Sequence, residues 1–239
     1  MKHLLLGLLL LSSQCLAAPN PDMTNLTSMG TGAYITPQCQ AVTATHVVEG
    51  AVIVKALVGG KWVDVIVMYA DKETDVAIIQ VISSTPCKPL VFNKEPLIQG
   101  DTIYSLGYPR PDILHWELVL TQGVVASTNI FKGMTLGNLS TAPGNSGGPL
   151  LNSHGELVGI SDAIYTDPLG LSFGSTYSLS VNVSTILEVI GKMGIHLELK
   201  FGNGNVFFKM SPQGIVRESA ESIFVIGTFK IPEPSVTLK

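Results

Sequence analysis

Seven consecutive residues, Gly144-Asn145-Ser146-Gly147-Gly148-Pro149-Leu150, place a serine on a glycine-rich turn that runs into an apolar segment. A serine hydroxyl attacks a carbonyl carbon when a base takes its proton and amide N–H groups receive the developing oxyanion. Glycine before and after Asn145-Ser146 permits backbone angles that a side chain forbids and leaves nearby N–H groups free to face a substrate. Gly144, Asn145 and Ser146 are therefore the candidate oxyanion hole, with the N–H groups of Gly144 and Ser146 as donors and Asn145 as the backbone between them. The competing reading is an ordinary Gly/Ser/Pro turn, which rarely extends through a whole run of this kind into a strand.

The run also satisfies the G-x-S-x-G pattern of the α/β-hydrolase elbow, so the pattern alone does not choose a fold, and the order of the partners has to. Upstream, His46 ends an apolar segment in Ala41-Val42-Thr43-Ala44-Thr45-His46-Val47-Val48, a rigid mount suited to a general base. The acid that fixes the imidazole tautomer would be Asp75, where the polar turn Asp71-Lys72-Glu73-Thr74 passes into Asp75-Val76-Ala77-Ile78-Ile79. Asp71 and Glu73 compete for that role but sit earlier in the turn. The α/β-hydrolase order needs an acid and then a histidine after Ser146, and Asp162 or Asp167 with His196 formally supplies them. That alternative leaves the His46 and Asp75 segments unexplained and finds no alternation of strands with helices.

The elements that must hold these groups are short β-branched stretches punctuated by Gly, Pro or Asp. They fall at residues 33–35, 51–58, 61–68, 75–82, 102–106, 117–121, 123–126, 149–151, 157–160 and 176–181, and predict an antiparallel all-β barrel or sandwich. One helix is predicted over residues 185–193, from a Thr185/Glu188 capping box to a closing Gly194. Beyond it, residues 195–239 predict a small β-rich extension, with a hairpin of 197–201 against 206–210 and a strand over 222–231. With 46% hydrophobic and 13% charged residues and a net charge of −4, the chain reads as globular and lacks the basic surface of a nucleic-acid partner. Residues 1–18, a lysine followed by a leucine-rich run and small residues, read as an export signal too short to span a bilayer. Residues 19–29 read as a flexible lead-in. In an exported chain, Cys39 and Cys87 are expected to form a disulfide.

The nucleophile run resembles that of trypsin-like serine proteases of the chymotrypsin fold. Thr43-Ala44-Thr45-His46-Val47-Val48 and Thr74-Asp75-Val76-Ala77-Ile78-Ile79 resemble the histidine and aspartate segments of its HtrA/Deg-type members. Residues 100–109, 121–127 and 152–160 extend the likeness, which covers about 30–194. The resemblance implies an all-β protease domain over 30–194 of two six-stranded antiparallel barrels with a C-terminal helix and a small β appendage. His46 and Asp75 would lie in the first barrel, Ser146 in the second, and the cleft between them would be the active site. It implies a serine endopeptidase, secreted or periplasmic, acting on protein or peptide substrates without cofactor or metal. A specificity pocket would be lined by Ser140, Thr141, Ala142, Ser175, Thr176 and Tyr177, and the absence of an acid there favours small or medium apolar side chains over Lys or Arg. The 45 residues after Gly194 are too few for the family's usual peptide-binding PDZ domain. The oligomeric state is left open, and a secreted esterase or a non-catalytic binding module remain the alternatives.

Overall fold

The apolar stretches pair into two closed barrels in the computed structural model of the chain, which describes residues 23–111, 113–128, 132–164, 177–202 and 209–231. In chain order the first half holds β1 (Leu26–Tyr34), β2 (Gln40–Ala44), the one-turn helix α1 (Thr45–Val48), β3 (Ile53–Val58), β4 (Lys61–Asp71) and β5 (Val76–Val81). The second half holds β6 (Val91–Phe92), β7 (Thr102–Gly107), β8 (Val119–Ser127), β9 (Met134–Gly137), β10 (Pro149–Leu151), β11 (Glu156–Ile164) and β12 (Ser178–Asn182). Helix α2 (Val183–Lys192), β13 (Lys200–Phe201), helix α3 (Pro212–Ser219) and β14 (Ile223–Phe229) complete it. The first barrel closes in the order β1-β14-β3-β4-β5-β2, and every pairing in it is antiparallel. The second runs β10-β7-β8-β9-β12-β11 and closes through β10–β11, with β6 and β13 added in parallel beside β11.

The apolar runs are continuous, rather than alternating, because the strands at the seam are covered on both faces. Along β5, Val76 and Ile78 enter the core shared by the two barrels, while Ala77 and Ile79 fill the interior of the first. In the second barrel Leu150 and Val158 point inward, and their neighbours Leu151 and Leu157 join the shared core. This is the period-2 geometry of a strand with cover on each side. The two barrels are thus welded by side chains from the strands that also carry the site.

Three expectations are corrected. The tail does not stand apart as an appendage: its strand forms over Ile223–Phe229 and inserts between β1 and β3 as the sixth strand of the first barrel. All seven of its residues are buried, a condition that only a closed or sandwiched position satisfies. The flexible lead-in is already strand from Leu26, where Leu26 pairs with Phe229 and the Thr27 hydroxyl donates to Thr228 O at 2.9 Å. Helix α2 begins two residues before Thr185, capped by the Asn182 side chain, which accepts from Thr185 N at 3.0 Å. An Asn accepts from the first turn as well as the expected Thr does.

Two further elements differ from the sequence reading. The segments at 117–121 and 123–126 merge into β8. Helix α3 lies where the sequence predicts no helix, although Ser211 caps it by accepting from Gly214 N and Pro212 opens it, a legible start signal. The turn of the expected 197–210 hairpin and the 1–18 signal lie outside the described residues. Cys39 and Cys87 are bonded, with their Cα atoms 5.1 Å apart, and tie the β1–β2 turn to the segment after β5.

Candidate active site

His46 sits in α1, the single turn that follows β2, and Asp75 sits in the residue before β5. Because β2 pairs with β5 with Ala44 opposite Val76, register brings the next residues, Thr45 and Asp75, together, and the turn of α1 sets His46 beside Asp75. Three hydrogen bonds lock them. Thr45 N donates to Asp75 O at 3.1 Å, His46 N donates to Asp75 Oδ1 at 2.9 Å, and His46 Nδ1 lies 2.7 Å from Asp75 Oδ2. Asp75 adopts a positive φ of 53°, a conformation Asp tolerates better than most side chains, which aims its carboxylate back at α1. With the carboxylate as acceptor, Nδ1 carries the proton and Nε2 is left to accept one, the tautomer a general base needs.

Ser146 is held by a turn that no other residue type could build at two of its positions. Gly144 has φ +102°, and a Cβ there would lie 2.4 Å from Tyr108 O. Gly147 has φ +80°, and a Cβ there would lie 2.2 Å from Thr43 Oγ1 and 2.5 Å from Thr31 O. The turn is clamped to the first barrel by Thr31: its N–H donates to Ser146 O at 2.9 Å and its hydroxyl to Gly144 O at 2.7 Å, while Thr43 Oγ1 donates to Thr31 O. On the other side, Gly147 N donates to Ser161 O and Ser161 N to Gly148 O, which seats the turn on β11. Asn145 is 4% exposed, and its backbone is spent within the turn, its N–H on Ala142 O and its carbonyl on Gly148 N. Among the described residues, the N–H groups of Gly144 and Ser146 make no protein hydrogen bond, the state in which two donors can receive an oxyanion.

The Ser146 hydroxyl donates to the carbonyl of Asp162 at 3.2 Å. From the sequence, Asp162 is placed only as the acid of an α/β-hydrolase; the fold brings it here instead. Its carboxylate and the ligand atoms of His46 and Asp75 all lie within 4.8 Å of one another, the one such grouping among the described residues. Two ligands on a tetrahedral zinc ion stand roughly 3.3 Å apart. The 2.7 Å His46–Asp75 contact is therefore that of a hydrogen-bonded pair.

The electrostatics follow from this packing. The His46 imidazole is raised above its ordinary value by the hydrogen bond to Asp75, against desolvation, with the charges of Asp75 and Asp162 adding to the rise. Burial pushes the Asp75 carboxyl up, but the bonds from the His46 side chain and N–H, the imidazolium charge and a bond from Asp162 together hold it below the usual carboxylate range. Asp162 moves the other way, pushed up to about 6 by burial first and then by its hydrogen bond to Asp75 and the Asp75 charge.

The remaining candidates divide. Asp71 is not the triad acid: its carboxylate accepts from Glu73 N and Thr74 N and takes an ion pair from Lys192 at 2.7 Å, which shapes the turn before Asp75 and holds α2 to β4. Its side chain is only 9% exposed, so it is far less solvated than its place in a polar turn suggested. Ser140 is exposed, and Thr141, Ala142 and Tyr177 are half-buried, on the segments before the nucleophile turn and before β12; Ser175 and Thr176 lie outside the described residues. His196 is exposed and has no hydrogen bond to Ser146 or Asp162 among the described residues, and Asp167 lies outside them. A cavity of about 570 Å³ opens beside Gly144, lined by Leu26, Met29, Arg110, Pro111 and Pro143. No described helix is long and apolar enough to cross a membrane.

Comparison with known proteins agrees with this geometry. The family model described as a trypsin-like peptidase domain matches residues 30–160. HhoB, a candidate serine protease of a Synechocystis species, is 31% identical over 195 residues, covering 75% of this chain and 46% of its own length. A DegP-like protein of Pseudomonas savastanoi, described as a probable periplasmic serine endoprotease, is 29% identical over 180 residues, covering 70% of this chain and 36% of its own length. The chain thus spans less than half the length of these curated relatives. The crystal structure of the serine endoprotease from Yersinia pestis superposes with a TM-score of 0.61 at 22% identity, covering 74% of this chain and 63% of that one, a likeness of fold.

Proposed function

Because the chain belongs to the family of trypsin-like peptidase domains, with relatives of the HtrA/Deg type, we propose that it is a secreted or periplasmic serine endopeptidase that forms an acyl-enzyme on Ser146. The observation that carries this reading is the Asp75–His46 pair, bonded at 2.7 Å, beside a serine turn; among the described residues, His46 Nε2 and the N–H groups of Gly144 and Ser146 have no hydrogen-bond partner. The Ser146 hydroxyl turns from Asp162 O to His46 Nε2 as substrate enters, and its oxygen attacks the scissile carbonyl while His46 takes the proton. The N–H groups of Gly144 and Ser146 receive the oxyanion, and removing one such donor costs about 10²–10³ in turnover. Asp75 stabilises the imidazolium through the Nδ1 bond. His46 then gives its proton to the leaving amine, and water, activated by the same imidazole, hydrolyses the ester.

Ser140, Thr141, Ala142 and Tyr177 bear no acidic group, which supports a preference for small or medium apolar residues at the cleaved position. The periplasmic description of the relatives and the Cys39–Cys87 bond support an oxidising compartment. The test is labelling of the purified protein with a fluorophosphonate alongside Ser146→Ala and His46→Ala, together with hydrolysis of unfolded protein substrates. The wild type labels and cleaves and both variants do neither; a wild type that stays unlabelled while folded refutes the proposal.

A further inference from the structure

Asp162 lies where the ladder between β11 and β12 slips: Ser161 pairs with Ser180 and Ala163 with Leu179, so Asp162 is the extra residue of a bulge. Bulges redirect a side chain that regular pairing would send elsewhere, and they recur beside active sites. Here the bulge does two things to one residue. Its carbonyl meets the Ser146 hydroxyl at 3.2 Å, and its carboxyl hydrogen-bonds Asp75 within 4.8 Å of the His46 ring. Two carboxyl groups this close cannot both ionise freely, and a proton held between them is the low-energy arrangement.

From this geometry, and resting on the protease reading above, we infer that Asp162 is a second acid of the triad, a positioning residue that raises the pH at which activity is lost in acid. In its protonated form Asp162 donates to Asp75, orients that carboxylate and withdraws part of its charge from the imidazole. Ionised, it places a second negative charge beside His46, which strengthens the base and favours the imidazolium of the transition state. The burial and Asp75 contact that push Asp162 up to about 6 set the crossover in the range where histidine itself titrates. The groups that act on Asp162 among the described residues are Asp75 from the turn before β5, His46 from α1 and the uncharged Ser146 hydroxyl. Across the bulge, β12 presents Leu179 and Ser180, which carry no charge.

As pH falls, the Asp162 carboxylate and the His46 imidazole gain protons as a coupled pair. The enzyme needs His46 neutral, yet the ionised Asp162 holds the proton on His46. Removing the acid while keeping a hydrogen-bond donor separates this role from a structural one. The experiment titrates the His46 imidazole by NMR and records kcat/KM against pH for the wild-type chain, Asp162→Asn and Asp162→Ser. In both variants the His46 midpoint and the acidic limb of the profile move down together by about one unit, the size of an opposite-charge coupling at this range, and the limb becomes that of a single ionisation. Asp162→Ala, which removes charge and donor, lowers the upper plateau of kcat by more than Asp162→Asn does. An unchanged His46 midpoint in both Asp162→Asn and Asp162→Ser, whatever happens to the plateau, overturns the inference. The NMR midpoint does not require turnover, so a wild type that fails to label with fluorophosphonate would refute the protease reading while leaving the coupling separately decided.

Discussion

In the first barrel the site is made by register: β2 and β5 pair so that His46 and Asp75, just beyond their last pair, meet and bond. In the second barrel the site is made by exceptions to register, a turn with glycines at φ +102° and +80° and a bulge that carries Asp162. The acid–base pair is therefore a property of one domain's strand pairing. The proposed nucleophile and oxyanion donors are set by the seam, where Thr31 and Thr43 of the first barrel clamp the turn of the second.

The contrast can be broken outright at β14. Ending the chain at Ser222 removes Ile223, Phe224, Val225, Ile226 and Phe229, all buried, from the barrel that holds His46 and Asp75. At about 2 kcal/mol for each, the loss is on the order of 10 kcal/mol, comparable to the whole stability of a typical domain. The truncated chain has no cooperative melting transition by circular dichroism, whereas a tail that stood apart would leave the transition in place. Next in size, Ser146→Ala and His46→Ala each reduce kcat/KM on the order of 10⁶-fold, and the double variant is no worse than either, because groups from the two barrels act as one unit. Kinetics on the three variants at matched fold content decide this.

Gly147→Ala strikes the seam alone. With the Thr43 hydroxyl and Thr31 carbonyl in the way of a Cβ and a left-handed backbone besides, it costs roughly 2–4 kcal/mol. It lowers both the melting temperature and kcat, while the His46 titration midpoint, set within the first barrel and by Asp162, moves less than in Asp162→Asn. A gentler cut is Thr31→Val, which removes the hydroxyl that donates to Gly144 O and accepts from Tyr108 N. Its cost is about 1–3 kcal/mol in a urea melt, with a fall in kcat that exceeds any change in KM.

The smallest effect sharpens the comparison through pH. The folded chain holds the Asp162 proton more firmly than the unfolded chain does, so this group favours folding below the ordinary carboxylate value and opposes it as pH rises toward about 6. Asp162→Asn therefore raises the melting temperature relative to wild type at pH 8, by a few degrees at most, and the gain disappears near pH 4. Melting curves at the two pH values check the sign.

The local chemistry was legible in the residues themselves. The glycines around Ser146 mark a turn that only glycine can make, the polar-to-apolar step at Asp75 marks a strand edge, and the β-branched runs mark strands. Asp71 and Asp162 show where such reading stops, since both are acids in or beside apolar segments. One is an anchor for Lys192 and the other a neighbour of the triad, and nothing in their immediate sequence distinguishes them. The residues over 222–231 read as a strand but not as a member of the first barrel, because a strand's partners lie far along the chain and its own composition records only that it is buried. Residue type and short spacing thus determined the proposed nucleophile, base and acid of this protein and its all-β class. Tertiary structure alone decided which barrel the last strand completes and which carboxyl faces the triad, because barrel closure and a one-residue bulge are long-range choices of pairing that leave no periodic trace in the sequence.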